Sequence, residues 1–236
     1  REVIKMIPEF LDKPNVLGIG EIGLNKNTKN ESTIFLEHME LAIQYNQQIL
    51  IHTPHLEDKY QGTRMILDML TGDSRIDPTR VLVDHVEEHT AKEVLDRGFW
   101  AGMTLYPVTK CTPQRAADII ELCGAQRLLV NSAGDWGPSK PTAVPDLILE
   151  LRRRGHSEAL IRKVVYDNPI EFFSFLAFFP QLVAGPIIRR DELLPQLRNL
   201  RLLNKDMASE GIYRIIKGML KKLLIADILA AEIVTK

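Results

Sequence analysis

Cysteine is scarce in this chain, with two among 236 residues. Cys111 and Cys123 stand at either end of a helical pattern and no CxxC pair occurs. That excludes a disulfide scaffold and a cysteine-rich zinc module, and it fits reduced thiols in a cytosolic protein. Charge of one sign is lacking as well: the formal net charge of -1 argues against a general nucleic-acid coat protein. No signal-peptide pattern, internal repeat or low-complexity tract is found. With Arg1 in first place and no initiator methionine, the start reads as a truncation. The uncharged run 172–188 falls just short of a bilayer span, and Pro180 and Pro186 interrupt it.

What is present is unevenly distributed. From Phe175 onward ten Lys/Arg face six Asp/Glu, whereas the rest of the chain is acidic. A basic, apolar tail on an acidic body predicts contact with a membrane surface, or a separate evolutionary origin.

Up to about residue 173, short apolar runs alternate with helical periodicity. Strands are expected at Asn15–Gly20, Ile49–Ile51, Arg80–Val83, Phe99–Leu105 and Arg127–Val130. Helices are expected over Glu31–Tyr45, Thr63–Leu70, Ala91–Arg97, Pro113–Cys123, Ala143–Arg154 and Ser157–Val165. Such alternation means βαβ units and a parallel sheet. Five strands are fewer than the eight of a closed barrel, so the expected fold is a partial TIM-type (β/α) barrel lacking N-terminal units. An open doubly wound sheet is the alternative. Beyond residue 173 no strand pattern appears. Gly211–Val234 repeats apolar residues at helical spacing beside Arg214, Lys217, Lys221 and Lys222, as an interfacial helix does.

Four side chains suited to a metal follow predicted strands in order: Glu21, His52, His85 and Asp135. Strand ends on one rim of a parallel barrel converge on one pocket. Mixed imidazole and carboxylate donors suit Zn, Mn or a similar water-activating ion. Asp135 is the candidate catalytic group, as ligand, general base or both. A lone histidine at a strand end is more often a structural hydrogen-bonding group; four such residues, each closing a different strand, are harder to ascribe to chance. His55 and Asn131 could hold a ligand or substrate in place, and Trp136 could wall the pocket. His38, His89 and His156 read as structural or exposed.

The runs GIGEIGLN, ILIHTP, VLVDHVEEHT and LLVNSAGDWG, with the closing YDNPIEFFS, resemble the TatD-related metal-dependent hydrolases over residues 1–173. The resemblance implies an amidohydrolase-like TIM barrel and a divalent metal (Zn, Mn or Mg). It also implies attack by metal-activated water on a phosphodiester or related ester, such as a small phosphoester or a nucleic-acid end. Glu21, His52, His85 and Asp135 would be the ligands. Two departures stand out: the family's HxH pair occurs nowhere in this chain, and NSAGD delays the aspartate.

The tail, with FLAFFPQLVAGPIIRRDELLPQL and GIYRIIKGMLKKLLIADILA, is similar to the membrane-bound O-acyltransferases over about residues 175–236. That family relies on a later histidine, and all six histidines here lie at or before position 156. We therefore expect two domains. Residues 1–173 form an incomplete, cytoplasmic hydrolase barrel, and residues 174–236 an all-α apolar fragment able to associate with a membrane. No protein partner is inferable. The alternatives are an acyltransferase fragment or a composite of two gene pieces, impaired or without activity of its own.

Overall fold

The computed structural model describes residues 2–11, 13, 16–55, 58–106, 110–133, 140–177 and 205–220. Five strands carry the fold: β1 (Gly18–Gly23), β2 (Gln48–His52), β3 (Val81–Asp84), β4 (Trp100–Leu105) and β5 (Leu128–Ser132). They lie side by side in the order β1-β2-β3-β4-β5, every neighbouring pair parallel. A doubly wound sheet would reverse its order at a switch point. Sequential order with right-handed crossovers instead sets the connecting helices on one face, as in the wall of a (β/α) barrel.

Short helices α1 (Glu2–Met6) and α2 (Pro8–Leu11) precede the sheet. The crossovers contain α3 (Lys29–Gln44), α4 (Lys59–Thr71), α5 (Ala91–Asp96) and α6 (Pro113–Cys123), and α7 (Ala143–Arg153) and α8 (Glu158–Arg162) follow β5. Local chemistry starts and stops them. Thr28 and Glu31 form a capping box on α3. Thr112 accepts from Arg115 N–H at the head of α6, where Pro113 has no N–H to satisfy, and Gly124 ends that helix at φ 76°.

Period-two alternation divides the strand residues between two faces. On one, Ile49, Ile51, Val81, Val83, Ala101, Met103, Leu128 and Val130 join the apolar stripes of the helices, among them Phe35, Met39, Ile66, Leu67, Ile119 and Ile120. On the other, a smaller cluster of Leu82, Trp100, Leu129 and Phe172 is flanked by Leu50. Leu50 pairs with Leu82 and Leu82 with Trp100, so this row crosses the strands near their N-terminal ends.

Phe172 belongs to α9 (Asn168–Ala177), reached through a π-helical turn over Lys163–Asp167. Its ring meets Trp100 edge to face, with centroids 5.8 Å apart. Asn168, fully buried, donates to the Ala125 and Leu128 carbonyls at 2.7 and 2.6 Å and so anchors α9 at the foot of β5. Burying a ring of this size stabilises the fold by roughly 1.5–3 kcal/mol.

Strand β1 runs from Gly18 to Gly23, where Asn15–Gly20 was expected, and α9 continues through residue 174. The chain divides into two units, residues 1–188 and 189–236. In the second, α10 (Lys205–Leu220) exposes Ile212, Tyr213 and Ile216. The helix expected over Gly211–Val234 lies beyond Leu220 outside the described residues. Among the described residues, no helix is long and apolar enough to cross a membrane.

Candidate metal centre

Two residues beyond the apolar row, the same face turns polar. His52 lies two past Leu50, Asp84 two past Leu82, Thr104 four past Trp100 and Asn131 two past Leu129, all at or near the C-terminal ends of their strands. Alternation places them together, and the register pairs His52 with Asp84 and Thr104 with Asn131.

Asp84 organises this end. Its Oδ1 accepts from the His85 backbone N–H at 2.7 Å and from Thr104 Oγ1 at 3.2 Å, and its Oδ2 accepts from Asn131 Nδ2 at 2.9 Å. Gly102 leaves room for it, since a Cβ there would sit 2.4 Å from Asp84 Oδ1. The Asp84 contact holds His85 at φ 61°, a left-handed conformation uncommon for a non-glycine residue. The imidazole is thereby brought to Thr104 Oγ1, 2.7 Å from its Nδ1, and to Glu21 Oε1, 3.0 Å from its Nε2.

Glu21 reaches this point through a bulge. Ile19 pairs with Ile49 but Ile22 with Ile51, so β1 carries one residue more than β2 over this stretch. Such a bulge re-aims the side chain beside it. The hydrogen bond to His85 holds the Glu21 carboxyl below its ordinary value, against the opposing effect of partial burial. One donor atom from each of Glu21, Asp84 and His85 falls within 4.8 Å of the others.

His52 ends the neighbouring strand β2. A Cβ at Gly23 would stand 2.7 Å from its Cδ2 and 2.9 Å from its Nε2, so only glycine admits the ring there. That Nε2 is buried and, among the described residues, has no hydrogen-bond partner. Burial pushes the His52 pKa down, although the charge on Glu21 opposes the shift, so the ring favours its neutral form.

The residues therefore fit a divalent cation. Two carboxylates and an imidazole, from Glu21, Asp84 and His85, bring donor atoms within 4.8 Å of one another, and the neutral His52 imidazole stands within electrostatic reach of Glu21 and His85. Of the sequence-derived candidates, Glu21 touches His85, Asn131 bonds Asp84, and His52 lies at the end of the neighbouring strand within electrostatic reach of Glu21. His55 is exposed on the loop after β2. Asp135 and Trp136 lie outside the described residues. Sequence reasoning passed over Asp84 and Thr104. Asp84 was legible: in ILIH and VLVD it holds the same strand-end position as His52.

A family model described as TatD-related DNase matches residues 1–174. An uncharacterized metal-dependent hydrolase of Methanocaldococcus jannaschii is 35% identical over 173 residues, or 72% of this chain and 66% of that protein. The chain thus spans slightly less than two thirds of that relative's length. Among solved structures, a TatD-like protein from Archaeoglobus fulgidus superposes with TM-score 0.58 at 23% identity, covering 74% of this chain and 66% of the other. A phosphotriesterase homology protein from Escherichia coli, complexed with phosphate, gives TM-score 0.58 at 17% identity, covering 73% and 68%. Both likenesses support the barrel-type fold. The C-terminal stretch resembles a different protein, a probable alginate O-acetylase of Pseudomonas putida, at 46% identity over 63 residues, which is 27% of this chain and 13% of that one.

Proposed function

The chain belongs, over residues 1–174, to the TatD-related DNase family, and on that premise we propose that it is a metal-dependent hydrolase of phosphodiester or related ester bonds. Glu21, His52, His85 and Asp135 would hold one divalent ion, of Zn, Mn or Mg. When bound, that ion supplies a water of lowered pKa and neutralises charge on the scissile group. His52, kept neutral by burial, offers its free Nε2. Asp84 orients His85 by gripping the backbone N–H and, through Thr104, by steadying the ring. Asp135 accepts the proton of the attacking water. The observations that support this reading are the 3.0 Å contact of Glu21 with His85 and the buried Nε2 of His52, which has no hydrogen-bond partner among the described residues.

The substrates that suit such a site are small phosphoesters or nucleic-acid ends. Elemental mass spectrometry of the purified chain should find a near-stoichiometric divalent metal. The His52→Ala/His85→Ala variant should lose both the metal and hydrolysis of bis(p-nitrophenyl) phosphate. A folded wild-type chain that takes up no metal would refute the reading.

A second reading concerns residues 174–236, whose 63-residue likeness to an O-acetylase is specific. It takes this region as a separate all-α, apolar domain that meets a membrane surface, beside a cytoplasmic hydrolase body. Arg214 and Lys217 alternate with exposed Ile212, Tyr213 and Ile216 along α10, which supports surface binding. Co-sedimentation with anionic vesicles, against a chain ending at residue 188, tests the membrane contact.

A further inference from the structure

After β4 the chain turns back onto its own strand. Tyr106 N–H donates to the Cys111 carbonyl and Cys111 N–H to the Thr104 carbonyl, both at 3.1 Å, and Leu105 and Cys111 form a parallel bridge. Lys110 is thereby held beside the C-terminal end of β4, next to Cys111, whose N–H bonds the Thr104 carbonyl. Its carbonyl accepts from Arg115 Nη1 at 3.2 Å, and Arg115 is itself fixed by two 2.7 Å bonds to Glu88. The backbone that presents Lys110 is therefore well braced.

Its side chain differs from those of its basic neighbours. Lys59 is paired with Glu87 at 2.8 Å and Arg115 with Glu88. Lys110 is half-buried and its ammonium, among the described residues, makes no hydrogen bond or ion pair. Burial pushes its ammonium pKa down, Lys59 adds to the shift, and the charges of Asp84, Glu21 and Glu87 oppose it. The Glu21 and His52 side chains feel its charge in turn, so it stands within electrostatic reach of the candidate metal ligands. A partly desolvated ammonium left without a close anion costs free energy, which an arriving anion would recover. Lysine serves as a compact point charge for phosphate.

We propose that Lys110 binds a non-bridging oxygen of the substrate's phosphoryl group and so positions that group against the metal centre. This deepens, and rests on, the hydrolase reading above. As a cation, Lys110 cannot itself be a metal ligand, so its removal separates anion binding from metal binding.

The test titrates Mn²⁺, and then inorganic phosphate, into the full chain and into Lys110→Met and Lys110→Arg variants by calorimetry. In Lys110→Met, phosphate should bind about ten- to a hundredfold more weakly, the range of a charge-assisted hydrogen bond. Mn²⁺ should bind as well as in wild type or more tightly, because a repelling charge has gone. Lys110→Arg should recover part of the phosphate affinity, and acetate should bind far more weakly than phosphate to wild type. Unchanged phosphate affinity in Lys110→Met, equal affinity for acetate, or a simultaneous loss of Mn²⁺ binding would overturn the proposal while leaving the hydrolase reading in place. A wild-type chain that binds no Mn²⁺ would sink that reading, and this proposal with it.

Discussion

Leu82 and Asp84 stand two residues apart on one face of β3, yet the two ends of that face follow opposite rules. At the lower end Leu82, Trp100, Leu129 and Phe172 are buried, and the polar atoms among them are satisfied: Trp100 Nε1 donates to Thr79 O at 3.0 Å. At the upper end a histidine nitrogen is buried without a partner among the described residues, and a non-glycine residue is held at positive φ. The lower end gains stability from complementary packing. The upper end gives up stability to keep donor atoms poised for something to bind, the usual relation between a site and its scaffold. Two residues of strand suffice to separate these roles because the pleat repeats with the same period.

If the lower end serves stability alone, Trp100→Ala should bring the largest change. We expect a loss of about 3–5 kcal/mol in urea unfolding, from a large ring removed out of a packed row. The folded fraction should keep its metal stoichiometry, and a proportional loss of metal would show that the two ends are not separable.

Asp84→Asn should have a smaller, mixed effect. Either amide orientation sets an NH₂ group against a donor, whether Asn131 Nδ2 or the His85 N–H and Thr104 hydroxyl. The expected cost is roughly 1–3 kcal/mol in stability, together with a ten- to hundredfold loss of metal affinity. A variant with wild-type metal affinity would remove Asp84 from the site's support.

The smallest effect is on pH. Burial lowers the folded-state pKa of His52 beneath its ordinary 6.5. The folded metal-free chain therefore binds fewer protons there than the unfolded one. This contribution to stability is present above 6.5 and is lost as pH falls through the depressed folded value. Denaturation midpoints measured across this window should decline toward acid, and His52→Leu should flatten the slope. An unchanged slope in that variant would mean His52 is solvated in the folded protein.

Much of the architecture could be read without coordinates. The strand at Ile49–Ile51, the strand at Phe99–Leu105 and the helix over Pro113–Cys123 were legible because their apolar periods and caps are local properties. Glu21, His52 and His85 were recognisable as donors by residue type and by position at strand ends. Their supports were harder to see. Thr104 lies in an entirely buried strand where nothing in WAGMTL distinguishes it, and its value comes from meeting Asp84 and His85, twenty and nineteen residues away. Lys110 reads as an ordinary loop lysine until the Thr104–Cys111 hydrogen bond folds it back to the sheet.

The sequence by itself determined the alternation of strands and helices, the reservoir of imidazole and carboxylate donors, and the change of character in the tail, since each follows from composition or short-range period. Tertiary structure alone decided the sequential strand order, the bulge that turns Glu21 toward His85, the space that Gly23 and Gly102 leave for His52 and Asp84, and the covering of Trp100 by Phe172. The physical reason is distance along the chain. Each of these rests on contacts between residues that no local pattern links, and only the closed set of sheet registers brings them within a few ångströms.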